Sequence, residues 1–341
     1  MREKRRNSKH KHVDEPEKPL STSRDFTKDV SELGIGKPNN QKRQRSSRLP
    51  SSRPHPSNKQ KVASLPVSMP DRRHYTAPIG MRWSENSCAY DSVFTPIYVQ
   101  WCTNRILQTE FIERTCSPEA NLLFDGFVQY EAGQGSLENA RDAVRWHMTR
   151  SQNAIFGTYT SIYTVCSTLL RMNGIVWEKF YLCPNGHYMR HSYESEALLS
   201  AAATQYTSIA QWVSSDTEQT TALCSICQHP VSIRLKFCGT PPLLAFEFSA
   251  QPTIRIVYTL NVQLENHIQK FYSLAAVIYY SQNHFTTQII TRDGRVWFYD
   301  GMAITDPTVE PTLVCVGSIN DPSFSLQVCR GGVPCAALYC L

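Results

Sequence analysis

The chain has 341 residues, 35 Lys+Arg against 29 Asp+Glu, and 12 cysteines. No stretch is apolar for long enough to cross a bilayer as a helix, and the charged N-terminus carries no hydrophobic signal core, so a soluble, unsecreted protein with no membrane partner is expected. No cysteine precedes Cys88 and all but one C-x-x-C pair are scattered singly, a usage that suits metal binding or catalysis better than a disulfide framework.

Residues 1–75 hold 19 Lys+Arg and 8 Asp+Glu, so the +6 of the whole chain becomes −5 once they are set aside. The basic pI therefore describes a tail and not the folded body. That tail is rich in Ser, Pro, Lys, Arg and Asn and nearly devoid of aromatic or branched apolar residues, and it is expected to be disordered because it has too little apolar surface to offset its ordering entropy. Its clusters Lys4-Arg5-Arg6 with Lys9 and Lys11, and Lys42-Arg43-Gln44-Arg45, suit a nuclear localisation signal or weak nonspecific contacts to nucleic-acid phosphates. A solvated linker is the plain alternative. The expected localisation is nuclear or nucleocytoplasmic.

Globular texture begins near Arg82, and residues 76–341 are expected to form one domain. The stretch Trp83 to Trp101 opens with a polar turn and continues as an apolar run starting at Cys88. A helix beginning there would aim its unpaired N–H groups at the sulfur, a field that favours the nucleophilic thiolate form. Apolar spacing near 3.6 predicts further helices over Ala120–Glu131, over Leu137–Thr149 with Ser136 as N-cap, and over Thr158–Met172. The second half turns β-rich, with strands expected at Val231–Phe237, Leu243–Phe248, Ile254–Leu260, Phe271–Tyr280, Thr286–Thr291 and Val296–Tyr299. Helices followed by an antiparallel sheet indicate the α+β class.

Between those halves lie Cys183-Pro-Asn-Gly-His187 and Cys224-Ser-Ile-Cys227. Two ligand pairs on tight turns suit a tetrahedral Cys3His site for structural zinc, with His191 as an alternative to His187 and Cys238 as a spare ligand. Cys102, Cys116, Cys166, Cys315, Cys329, Cys335 and Cys340 read as core or incidental.

A cysteine nucleophile needs a base to take its proton and a third group to orient that base. His284 opens one expected strand and Asp300 closes the next, and the Asp293-Gly294 turn between them is a hairpin signal. Antiparallel pairing would bring the start of the first strand beside the end of the second, so both side chains reach one edge. Asp300 before Gly301 has a humbler reading as a turn former.

The order Cys88-Ala-Tyr-Asp-Ser, then His284-Phe285, then Trp297-Phe-Tyr-Asp300, resembles the ubiquitin-specific protease superfamily over roughly residues 82–341. The resemblance implies a papain-like cysteine peptidase fold, with a helical thumb, an antiparallel-sheet palm and a zinc-bearing fingers insert, here at about 178–238. It implies removal of ubiquitin or a ubiquitin-like modifier from protein lysines, through Cys88, His284 and Asp300. The family places an oxyanion-stabilising Asn five residues before the nucleophile, where this chain has Trp83; Asn86 is the substitute candidate. The Trp83 to Asn86 lead-in is similar to that of the divergent SUMO-directed isopeptidases of the superfamily. A catalytically inactive modifier-binding or nuclear interaction module with the same fold is the alternative function.

Overall fold

The run from Cys88 to Trp101 is a helix, α1, whose fourteen residues are all buried. Pro96 lies inside it and has no N–H to give to the carbonyl of Ser92 one turn earlier. Thr287 supplies the missing donor, its hydroxyl 3.2 Å from Ser92 O, and Gln100 Nε2 donates to Ile290 O at 2.7 Å. The helix is thus pinned along its length to the chain segment that carries His284.

The computed structural model describes residues 77–200, 206–214, 218–248, 253–265, 267–304, 306 and 308–341. Contacts divide the chain after Pro70 into two units, and every described residue belongs to the second, Asp71–Leu341. The basic tail, with its expected disorder, localisation signal and phosphate contacts, lies outside the described residues. No helix among the described residues is long and apolar enough to cross a membrane.

After α1 come α2 (Arg105–Arg114), α3 (Pro118–Glu131), α4 (Leu137–Ser151) and α5 (Ile162–Leu169). Side-chain oxygens of Asn104, Ser117, Ser136 and Ser161 cap the orphan N–H groups at their starts. Helix α5 is shorter than the expected Thr158–Met172. Ser161 caps it late, and beyond Leu169 the backbone of Arg171 and Met172 bridges to Glu196 and Thr115 instead of continuing the helix. Helix α2 escaped the sequence reading because only Leu107 and Phe111 of its ten residues are buried, too few for an apolar stripe.

Helices α3 and α4 approach closely at Gly126, where an added Cβ would lie 2.3 Å from the Cβ of Ala140. Gly126→Ala is therefore expected to destabilise the fold by about 1–3 kcal/mol through overpacking, although Ala is the better helix former. Urea unfolding of the single variant, and of the double variant with Ala140→Gly, measures this; recovery in the double variant is the expected outcome.

The remaining elements are β1 (Trp177–Leu182), β2 (Tyr188–Glu194), β3 (Leu198–Ser200), α6 (Ile209–Ser214), β4 (Glu218–Leu223), β5 (Pro230–Phe237), β6 (Leu243–Glu247), β7 (Thr259–Gln263), β8 (Gln269–Ser281), β9 (His284–Ile290), β10 (Arg295–Tyr299), β11 (Val314–Ser318) and β12 (Val333–Cys340). They make an α+β structure with two sheets. The larger has the order β11-β10-β9-β8-β12-β6-β3, with β7 also on β8, and is antiparallel except for the β3–β6 pair. The smaller, β2-β1-β5-β4, is antiparallel throughout. The core lies between α1 with its neighbouring helices and the larger sheet, around Phe94, Phe127, Val277, Ile278 and Tyr339.

The strand expected over Ile254–Leu260 is displaced to Thr259–Gln263. Ile254 and Ile256 are buried, which gives the alternating pattern, but Arg255 makes only an isolated bridge to Ser208. Alternation there reports burial of a connecting segment and not a ladder.

Candidate active site

Three elements deliver the expected side chains to one place. Cys88 opens α1 and is 5% exposed, and the N-cap residue Ser87 sends its hydroxyl to Asp91 Oδ2 (2.5 Å), leaving the first N–H groups of the helix without a side-chain cap. His284 follows the two-residue turn Gln282-Asn283, where both residues have left-handed φ (50° and 61°) as a tight hairpin between twisted strands requires. Asp300 follows β10 directly. The register pairs Thr287 with Tyr299, and the Thr291–Arg295 turn closes through Gly294, whose φ is 82°. Continued by one residue, this register sets 300 opposite Thr286 and diagonal to 284 on the same face, within reach of longer side chains.

His284 Nε2 lies 2.8 Å from Asp300 Oδ1. The same oxygen accepts the Met302 N–H at 3.0 Å, so Asp300 also caps the short 3-10 turn Gly301–Ala303. One carboxylate oxygen thus both caps the turn and meets the imidazole. With Nε2 taken by the carboxylate, Nδ1 is the nitrogen left for the thiol. The His284 pKa is pushed up to about 9, first by the hydrogen bond to Asp300 and next by one to Cys88. In return, the hydrogen bond from His284 holds the Asp300 carboxyl below its usual range.

Asn86 is placed differently from expectation. Its φ is 61°, and its Nδ2 donates to Gly157 O at 2.8 Å, so one amide hydrogen is already committed away from the thiol. Trp83 is partly exposed, and its backbone N–H meets Gly301 O at 3.3 Å. Gly301 allows that approach: a Cβ there would sit 2.8 Å from the Tyr299 hydroxyl and 3.3 Å from Trp83 N.

A cleft of about 1000 Å³ opens at Cys88 between Tyr159 before α5 with Tyr163 in its first turn and the sheet (Tyr280, Phe285, Pro334). Cys335, taken as core or incidental from the sequence, is among its walls. Tyr280 donates its hydroxyl to Asn283 Oδ1 at 2.7 Å and so steadies the turn that leads into His284.

Beneath the loop that leads into Cys88 is a set of charges absent from the sequence reading. Arg141 and Asp91 are both about 1% exposed and pair at 2.9 Å. Asp142 holds Arg141 through two contacts, 2.8 and 3.1 Å, and Arg145 through one of 2.9 Å. The signal was present in α4: Leu137, Ala140, Val144 and Met148 mark its buried stripe, and Arg141 and Arg145 fall inside that stripe. Charges on a buried face need partners, and here those partners are Asp91 in α1, Asp142 in α4 and carbonyls of the loop before Cys88.

The metal centre lies at one end of the smaller sheet. The ligand atoms of Cys183, His187, Cys224 and Cys227 all fall within 4.8 Å of one another. Cys183 Sγ is 3.4 Å from Cys227 Sγ and 3.7 Å from His187 Nδ1, and Cys224 Sγ is 3.6 Å from that nitrogen. Tetrahedral zinc with Zn–S of ~2.3 Å sets sulfur–sulfur edges of about 3.8 Å and slightly shorter sulfur–nitrogen edges, so this Cys3His cluster is a zinc site. The Cys227 thiol is drawn down to about 5, first by the backbone N–H of His229, which favours the ligating thiolate. Four protein ligands make the site structural. His191 stacks on Phe180 (4.5 Å between ring centres) and faces Glu178, outside the cluster. Cys238 is also outside it, with its sulfur toward Lys236 O. None of the twelve cysteines is in a disulfide.

No protein-family model matches this chain, and no curated protein does. Among solved structures it is similar to chains of the SAGA DUB module. One is the Ubp8/Sgf11/Sus1/Sgf73 assembly bound to ubiquitin aldehyde, at 10% identity and a TM-score of 0.48, covering 77% of this chain and 69% of that one. A second is bound to monoubiquitin, at 10% identity, a TM-score of 0.46 and coverages of 77% and 68%. A third is the yeast module with an altered Sgf73, at 11% identity, a TM-score of 0.46 and the same coverages. The leaning toward SUMO-directed isopeptidases draws no support from these three.

Proposed function

We propose that this chain is a thiol-dependent isopeptidase that releases ubiquitin or a ubiquitin-like modifier from protein lysines. The observation that carries the reading is the His284 imidazole, hydrogen-bonded to Asp300 at 2.8 Å at the edge of the cleft that Cys88 lines. Cys88 Sγ attacks the carbonyl carbon after the modifier's terminal glycine, and the thiol proton passes to His284. His284 then protonates the departing lysine amine, which leaves a thioester on Cys88. Water adds to that thioester with its proton taken by His284, and the modifier leaves with a free carboxylate. Asp300 keeps the imidazole in the tautomer that directs Nδ1 at sulfur. The choice of modifier as substrate comes from the motif resemblance; the residue chemistry supports acyl transfer through sulfur.

The test is reaction with ubiquitin or SUMO carrying an electrophile at its C-terminus. A covalent adduct on the wild-type chain that disappears in Cys88→Ala is expected. No adduct, or one that persists in Cys88→Ala, rejects the reading. One observation favours the inactive, modifier-binding alternative: the Asn86 amide is engaged with Gly157, and Trp83 stands where the family's donor would be. Saturable modifier binding without turnover of any linkage would decide for that alternative.

A further inference from the structure

The loop 82–87 makes its turn with two consecutive left-handed residues, Glu85 (φ 45°) and Asn86 (φ 61°), immediately before the helix that starts at Cys88. Neither is glycine, so this backbone is strained and must be held by its surroundings. What holds it is a pair of buried guanidiniums. Arg141 Nη1 donates to Arg82 O at 2.5 Å, and Arg145 donates to Ser84 O at 3.3 Å and to Glu85 O at 2.5 Å. Three loop carbonyls are thereby turned toward α4.

Both guanidiniums are fixed in turn. Arg141 is paired with Asp91, which sits one turn into α1 and accepts from Ser87 at the helix N-cap. Asp142 ties the two arginines together, and the Arg145 guanidinium lies over the Phe156 ring at 4.3 Å. Glu85 also packs beside Gly157, whose carbonyl takes the Asn86 amide. The N–H groups of Arg82, Trp83, Ser84 and Ser87 are engaged, by Glu138 Oε1, Gly301 O, Ser87 Oγ and Ser84 O, so those left to meet a negative charge are the ones of Glu85, Asn86 and Cys88. A turn of this kind gathers N–H groups into a concavity suited to negative charge.

We propose that Arg141 and Arg145 are positioning residues for the oxyanion stabiliser of this chain. On this inference, which rests on the reading of Cys88 as the nucleophile, backbone N–H groups at the head of α1 replace the side-chain donor that Trp83 and the engaged Asn86 do not provide. The arginine pair sets their direction. Lysine cannot replace Arg145, because a single ammonium cannot reach two carbonyls and a carboxylate in the fixed fork that the guanidinium offers.

The experiment compares two rates in the full chain: hydrolysis of a fluorogenic ubiquitin C-terminal amide, and alkylation of Cys88 by iodoacetamide, followed on its peptide by mass spectrometry. Alkylation needs the thiolate but forms no oxyanion. Arg145→Lys is expected to lower kcat about 10²-fold, with KM changed by less than about threefold and alkylation by less than about twofold. Asp142→Asn, at a half-buried position that leaves the core intact, is expected to show the same split at about tenfold. Hydrolysis unchanged in both variants overturns the inference. So does alkylation that falls in step with kcat, which is what a role in folding or in the thiol alone would give. Absence of turnover by the wild type instead overturns the underlying assignment of Cys88, so the two failures are distinguishable.

Discussion

Asp300→Ala is expected to lower turnover of a ubiquitin C-terminal amide by about 10²–10⁴-fold, the span that general acid–base assistance commands. Asp300→Asn is expected to cost far less, about tenfold to 10²-fold. The difference follows from Met302, whose backbone N–H fixes Oδ1 of residue 300. In the Asn variant that amide keeps an oxygen, and not the NH2 group, toward His284, so the tautomer survives and only the charge is lost. The pH profile gives a second readout. Protonated His284 is favoured in the folded protein, with its pKa raised to about 9 and the Asp300 hydrogen bond as the first cause. The stability contributed by that proton is fully present below the ordinary histidine value of about 6.5 and is lost as the pH rises through about 9. A thiolate–imidazolium pair fails in the same range, so the alkaline limb of kcat/KM should fall near pH 9 in the wild type and move toward neutrality in both variants. Equal losses in the two variants, or an unmoved alkaline limb, would refute this account of Asp300.

Removal of zinc should produce the other large effect. The smaller sheet has little apolar core of its own: beyond Trp177 and Phe237 at its base, the strands β1 and β5 bury almost only Val231, which packs with Cys183 and Cys224. Such a sheet depends on its metal, because ligand binding and folding are one event where the apolar contribution is small. Cys224→Ser, or exhaustive chelation, is expected to abolish slow amide exchange in β1, β2, β4 and β5 while α1 and β8–β10 keep theirs. Metal analysis of the wild type should give about one zinc per chain, as a single tetrahedral site implies. Retained protection in the metal-free protein would show that strand pairing alone sustains the sheet.

The features legible in the sequence share a short-range physical cause. The α1 start, the Ser136 cap, the Asp293-Gly294 hairpin and the four zinc ligands each lie within a few residues of the signal that announces them. From the hairpin, the arrival of His284 and Asp300 at one edge and on one face of the sheet follows by pairing geometry. What was not legible required knowledge of partners far along the chain. The Asn86 amide turns to Gly157, 71 residues away, and Arg141 reaches Asp91 across 50. Helix α5 begins late because Ser161 competes as a cap, and the Ile254 segment mimics a strand because it is buried without pairing. Burial and pairing leave the same alternating imprint on a sequence, and only the tertiary structure separates them.

The hairpin of β9 and β10 also constrains how this gene can change. Side chains alternate between the two faces of a strand, so one codon inserted into or deleted from the Thr291–Arg295 turn would carry the 300 carboxylate to the opposite face or slide it a full step out of reach. Substitutions there are tolerable wherever a left-handed residue can be kept at position 294, but the number of residues is not negotiable. Length, more than chemical identity, is what that turn transmits to the far end of the sheet.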